Sequence, residues 1–342
     1  MPPKVSVVMS VCNAGGFLKE AVESVLAQTF EDFEFVIIDD GSTDGSLATL
    51  KRFTDPRIRI LPQENRGLIA ALNRGIMEST GQLIARMDAD DRCEPDRFEI
   101  QVRYLDKHPE IVLLGGAIAT MDEAGNPLAS YVRYPQSHEQ IWAEIGRRPS
   151  VFCHPAVMYR REEAIEAGMY NREFTHAEDA EFFARLMTKH RAANLPDVLL
   201  HYRLCRSSVS LVRLAHGQAN ARLVSKMIDR WQPGEHFIPT PEERRIADAE
   251  IARCLDPAPA FKIESAYQYR VARELLRGRQ WRRALRHYAS AIRSDRSNKK
   301  AYAGLVAALL HLGGEPDYGG SPAESRAIVL PKEELVHGGN AE

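Results

Sequence analysis

The sequence contains no apolar run long enough to cross a bilayer. Its longest candidates, Ile111–Met121 and residues 303–312, fall short of the ~18–20 apolar residues a spanning helix needs. The apolar stretch 5–11 has no basic leader and runs straight into polar residues, so a secretory signal is not expected. Cysteine is scarce. Cys12, Cys93, Cys153, Cys205 and Cys254 are odd in number and form no C-x-x-C, which argues against a disulfide framework or a structural zinc site. A reducing compartment fits best. An excess of one charge sign is missing too. Forty-five Lys+Arg face 47 Asp+Glu, a net −2 that gives no hint of nucleic-acid binding. These absences lead us to expect a cytoplasmic protein, either free or peripheral at the inner membrane face.

What is present is ordinary in composition but uneven in layout. The chain of 342 residues, 44% hydrophobic and 27% charged, has room for one large domain and a smaller appendage. Residues 262–300 hold twelve Lys/Arg against three Asp/Glu, a local +9, so the remainder carries −11. A solvated helix face, a membrane-surface patch and a protein-docking patch each account for that stretch. No aromatic-interleaved nucleic-acid module is present.

The first hundred residues alternate between strand and helix patterns. Residues 5–9 are a short β-branched run, and apolar residues at helical spacing fill 16–28. Residues 33–39 read as a buried strand ending on acids, and 41–45 as turn chemistry before a short helix. Residues 57–61 read as a third strand, Leu68–Glu78 as a helix, and 82–87 as a fourth strand ending at Asp88. Pro95 opens another helix, a favoured first-turn position. This order predicts an α/β fold with a mostly parallel, Rossmann-like sheet covered by helices. In such sheets ligands sit outside the carboxyl ends of the strands, where Asp39-Asp40 and the acids of 88–91 fall. A hairpin about 123–127, a helix over 178–190 and a last strand over 198–203 follow. Residues 263–312 resemble one tetratricopeptide unit and the helix after it, too short for a free-standing solenoid. The expected division is a domain over 1–225, a helical connection over 226–262, the helical region 263–312, and a poorly ordered tail over 313–342.

Three ordered segments carry a family resemblance. The first is Val5-Ser6-Val7-Val8-Met9-Ser10-Val11-Cys12-Asn13 with Gln28-Thr29-Phe30 and Asp39-Asp40-Gly41-Ser42-Thr43-Asp44. The second is Asn65-Arg66-Gly67 leading to Asp88-Ala89-Asp90-Asp91. The third is His154-Pro155 leading to Glu178-Asp179. Together, over residues 4–210, they resemble the family 2 glycosyltransferases of GT-A fold. A lone D-x-D is weak evidence, whereas the ordered set at strand ends is specific.

The resemblance implies transfer of a sugar from a nucleotide-diphosphate donor, a UDP-sugar first, with inversion at the anomeric carbon. It implies a hexosyl or N-acetylhexosaminyl donor and a hydroxyl on a glycan, lipid-linked or protein-linked acceptor, in bacterial surface polysaccharide or glycoconjugate synthesis. It assigns Asp90 to a divalent cation, Mn²⁺ or Mg²⁺, and Asp88 to the ribose or metal side. Asp40 is expected to accept from the base N–H. Ser10, Asn13 and Arg66 would face the nucleotide, and Asp179 would be the general base. His154, Glu178 and Arg203 are candidate acceptor or phosphate contacts. The region 263–312 is a candidate for peripheral membrane or protein contact.

Two positions depart from the family pattern. Cys12 stands where a base-stacking Tyr is common, and Cys205, in Tyr202-Arg203-Leu204-Cys205, stands where a His is common. A thiol prefers softer ions than magnesium. The Gln-x-x-Arg-Trp segment of polymer-making relatives is absent around Asp229-Arg230-Trp231, so transfer is expected to be non-processive. Simpler readings stand beside these. The acid turns cap helices well, Glu178-Asp179 suits a helix N-terminus, and buried histidines and cysteines are commonly structural. Two other functions are weighed. A nucleotidyltransferase needs a basic Gly-rich loop, and Asn13-Ala14-Gly15-Gly16 offers only Lys19 nearby. A non-catalytic scaffold would use the helical region alone.

Overall fold

The computed structural model describes residues 2–145, 150–208, 212, 214–232, 237–252 and 258–310. The expected tail over 313–342 lies outside them. The N-terminal strands are β1 (Val5–Val11), β2 (Phe33–Asp40), β3 (Ile58–Gln63) and β4 (Leu83–Met87). They alternate with α1 (Leu18–Leu26), α2 (Ser46–Leu50) and α3 (Leu68–Glu78). After them come β5 (Arg92–Cys93), α4 (Arg97–Lys107), β6 (Ile111–Met121), β7 (Pro127–Val132) and α5 (His138–Ile145). The second half holds β8 (Met158–Arg160), α6 (Arg161–Glu166), α7 (Glu178–Met187) and β9 (Arg191–Arg203). Helices α8 (Leu214–Arg230), α9 (Pro241–Ala252), α10 (Ala260–Arg277), α11 (Trp281–Ser294) and α12 (Lys299–Leu310) complete the described residues.

The sheet runs β3-β2-β1-β4-β8-β6-β9-β5, with β7 paired to β6. The pairs β1–β2, β2–β3 and β1–β4 are parallel, as the alternating pattern predicts. The short β8 inserts antiparallel between β4 and β6, and β9 then runs parallel to β6. Two reversals restore direction, so β9 ends on the same edge as β1, β2 and β4. The strand read over 198–203 begins earlier, at Arg191. Pro196 interrupts its apolar pattern, and the β6–β9 register shifts at Gly116/Ala117.

Both faces of the parallel half are covered, which is why β1 and β2 are apolar without alternation. Val5, Val7, Met9 and Val11 meet Leu18, Val22 and Val25 of α1 on one face. Val8 and Ile84 meet Ile69, Leu72 and Ile76 of α3 on the other. The expected domain end at 225 falls inside α8, whose Leu223, Val224, Met227 and Ile228 share a core with Phe182 and Phe183 of α7. Tyr267, Val271 and Leu275 of α10 share a third core with Leu128 of β7 and Leu204. The helical region therefore packs directly on the sheet's flank.

Gly75 lets α3 lie flush on β1, since a Cβ there would sit 2.4 Å from Val8 Cγ1. Gly75→Ala should lower stability by about 1–3 kcal/mol through overpacking. The opposing helix-propensity gain is about 1 kcal/mol. Thermal unfolding checks this, and a midpoint above that of the native chain would show that the contact yields freely.

Candidate active site

The parallel strands end on acids and small polar residues, and the turns that follow bind one another. Asn13, at φ 55°, accepts from the Thr43 amide at 2.8 Å and donates its own amide to Ser42 Oγ at 3.1 Å. The Gly15 amide donates to Asp44 at 2.9 Å. Ser10 is half-buried on β1 beside Ile38.

Asp40 is buried and accepts three bonds, from Gln63 Nε2 (2.6 Å), the Arg66 amide (2.9 Å) and the Gly67 amide (2.9 Å). It therefore builds the turn over 65–67, and lone pairs beyond those three bonds are what it can offer a base. Gly41, at φ +73°, allows that turn to close, since the Asn65 nitrogen lies 2.8 Å from where a Cβ would stand. Arg66 is exposed on the turn. Asn65 Nδ2 donates to Cys12 Sγ at 3.2 Å. Burial, then the charges of Asp40, Asp39 and Asp44, raise the Cys12 thiol above its usual range and keep it protonated.

After β4 the chain turns through Asp88, Asp90 and Asp91, whose ligand atoms lie within 4.8 Å of one another. Burial, then the charge of Asp88, pushes Asp90 up to about 6. Asp91 is pushed up further by burial and by both neighbours. Its Oδ1 accepts the Arg203 amide at 2.8 Å, and its Oδ2 has no hydrogen-bond partner among the described residues. Crowded, partly protonated carboxylates with an unclaimed buried oxygen suit a hard divalent cation, which binds oxygen and displaces the protons.

Arg203, a candidate acceptor or phosphate contact, bonds protein through its guanidinium: Nε donates to the Asp90 carbonyl at 2.7 Å, Nη1 to the Glu123 carbonyl at 3.3 Å, and Nη2 to Glu20. It braces the acid turn. Burial, then the charge of Asp90, raises the Cys205 thiol above its usual range.

Glu178 and Asp179 open α7, with Asp179 Oδ1 accepting from the Ala180 amide at 2.8 Å. Asp179 lines a small cavity with Ile145, Ser150, Phe152 and Phe183. Burial, then the charge of Asp179, pushes Glu178 up to about 7, and burial raises Asp179 as well. His154, the other expected contact, shares a hydrogen bond with the Tyr170 hydroxyl at 2.8 Å and lies edge-on to Phe183. Burial, then Arg86, holds it well below its usual range, which favours the neutral ring.

The residue that sequence reading missed is Arg86. Its side chain is 3% exposed, 2.5 Å from Asp88 Oδ2, and its charge favours the ionised forms of Asp90, Asp91, Glu178 and Asp179. The signal was a lone cation in an apolar strand, two residues before the acids.

This arrangement can be set beside known proteins. The profile of Glycosyl transferase family 2 matches residues 6–166. The amylovoran biosynthesis glycosyltransferase AmsE of Erwinia amylovora is 37% identical over 190 residues, 54% of this chain and 70% of that protein. The chain belongs to glycosyltransferase family 2. The O-antigen biosynthesis glycosyltransferase WbnJ of Escherichia coli is 30% identical over 218 residues, 62% of this chain and 84% of that one. Among solved structures, S. aureus TarS 1-349 in complex with UDP aligns with a TM-score of 0.54 at 16% identity, covering 92% of this chain and 93% of that one. The mannosyltransferase PcManGT of Pyrobaculum calidifontis, in complex with GDP-Man and Mn²⁺, gives 0.53 at 18%, covering 91% and 81%. These likenesses agree with the GT-A fold of a family 2 glycosyltransferase.

Glu178 gives this glycosyltransferase a pH signature. Its folded value of about 7 lies above an ordinary glutamate, so it stabilises the fold at low pH, and that contribution is lost as pH rises through about 7. Glu178→Gln should flatten the fall of the thermal midpoint between pH 5.5 and 8 by about 2–4 °C. Parallel curves for the two proteins would refute the raised value.

Proposed function

We propose that the chain transfers a single sugar from a UDP-sugar to an acceptor hydroxyl, inverting the anomeric carbon, during bacterial surface polysaccharide synthesis. The observation that carries this reading is the convergence of the acid turn 88–91 and the Glu178-Asp179 pair around Arg86. The names of AmsE and WbnJ support the pathway class. A TarS structure bound to UDP-GlcNAc supports the donor class.

In this reading the turns over 12–16, 41–46 and 65–67 form the nucleotide wall, with Ser10, Asn13, Asp40 and Arg66 lining it. Asp90 would hold a divalent cation together with Asp88 and Asp91, and Mn²⁺ is our choice because a structural neighbour holds it. When bound, that cation supplies the positive charge that stabilises a departing diphosphate. Asp179 takes the proton from the acceptor hydroxyl as its oxygen attacks. Its raised basicity suits a base working near neutral pH. The charge of Arg86 favours the ionised form of Asp179 against the effect of burial, and Tyr170 and His154 close the wall behind it. Attack from the face opposite the leaving group inverts the centre in one displacement. Among the described residues no helix is long and apolar enough to cross a membrane. The basic helices α10–α12 support a peripheral contact with an anionic bilayer where lipid-linked acceptors lie.

Asp179→Asn should lower kcat by ~10²–10⁴ while calorimetry shows unchanged UDP affinity. A collapse of affinity would make Asp179 a structural or donor-binding residue. Asp90→Asn should abolish Mn²⁺-dependent UDP binding without lowering the thermal midpoint, because it relieves repulsion among crowded acids. Retained Mn²⁺ dependence would remove Asp90 from the cation site.

A further inference from the structure

We propose that the C-terminal helices are a working part of the active site, and that Arg206 is the positioning residue that links them to the acid turn. The proposal rests on the reading of Asp90 as a cation ligand. Residues 203–206 form a strap between the two. On its inner side the strap fixes the acid turn. The Arg203 amide donates to Asp91 at 2.8 Å, and Arg203 Nε donates to the Asp90 carbonyl at 2.7 Å. The Leu204 amide, donating to Met121 at 3.0 Å, fastens the strap to the end of β6.

On its outer side the strap is gripped by the helices. Arg206 pairs with Glu264 of α10 (Nε to Oε2, 2.6 Å) and with Glu123 of the β6–β7 turn. Its guanidinium lies 4.0 Å above the Tyr267 ring, also on α10. Its amide donates to Glu123 at 3.2 Å, and Leu204 is packed in the core formed by Tyr267, Val271 and Leu275. A planar guanidinium suits this post because it can bond two carboxylates while stacking on an aromatic face. The strap is four residues long, so only Leu204 and Cys205 separate Arg206 from the Arg203 bonds to Asp90 and Asp91.

The helices do not need Arg206 merely to stay docked. A separate anchor lies on β7, where Ser130 Oγ donates to the buried Glu274 at 2.7 Å. Two anchors with different addresses make a positioning role separable from a structural one.

The test uses the full-length chain with Arg206→Ala, Glu264→Ala, the double variant, and Ser130→Ala. UDP binding is titrated with MnCl₂, amide exchange is followed over residues 88–93, and thermal midpoints are recorded. Arg206→Ala and Glu264→Ala should each weaken Mn²⁺-dependent UDP binding about 10-fold, the lower end for a residue that orients a metal ligand. The double variant should be no weaker than the worse single, because both act through one linkage. Exchange over 88–93 should quicken in all three. Ser130→Ala should lower the midpoint and leave affinity and exchange over 88–93 unchanged. Native affinity and exchange in Glu264→Ala would overturn the proposal, as would Ser130→Ala reproducing the loss. If the native chain binds no Mn²⁺, the cation reading of Asp90 fails, and exchange over 88–93 alone decides the role of Arg206.

Discussion

Five carboxylates crowd one edge of the sheet, and the mutual repulsion of Asp88, Asp90, Asp91, Glu178 and Asp179 is the condition that the surrounding structure answers. Buried charges of one sign are tolerated only when they are protonated, paired or offset by a cation. All three responses are present. Asp90 and Glu178 are raised toward neutrality. Asp91 is held by a backbone amide. Arg86 sits within the group, its Nη1 ion-paired with Asp88 at 2.5 Å and its Nε without a hydrogen-bond partner among the described residues. It therefore acts mainly through its charge. What remains is an excess of negative charge that a dication would relieve, so cation affinity follows from the folding problem itself.

The positions of the acids were legible because strands announce themselves by apolar runs, and a run that stops on aspartates names its own end. Direction was not legible. Nothing in Asp39-Asp40 says that the second carboxylate turns to gather the amides of Arg66 and Gly67, because those donors arrive from a loop more than twenty residues away. Nor does the sequence show that Arg203, a candidate acceptor or phosphate contact, bonds Glu20, Asp90 and Glu123, which lie far off in the chain. Arg86 looked like a single polar residue in an apolar strand. The three residues of β8 are too few for any periodicity to register, yet they set the sheet order.

The helix-turn-helix of α10 and α11 was readable from its own spacing, whereas its docking was not. Three of the arginines that make this stretch basic find partners within it. Arg273 and Arg277 pair with the buried Glu274, while Arg282 lies over the neighbouring Trp281 ring. Spacing and local charge set the segment apart in the sequence, and the apolar surface shared by Leu128, Leu204 and Tyr267 ties it to the sheet.

The antiparallel β8 also sets an order of assembly. Strand β4 is bordered by β1 on one side and by β8 on the other, and β8 lies more than seventy residues further along the chain. During synthesis the β3-β2-β1-β4 half can pair as soon as residue 87 has emerged, but its β4 edge stays open until residue 160 follows. Long-range pairings of this kind slow folding, and an open apolar edge invites association with other chains. The sheet therefore spends part of its birth with Leu83, Ile84 and Ala85 unpartnered on one side, and a ribosome-bound chain of that length is where a chaperone would find most to hold.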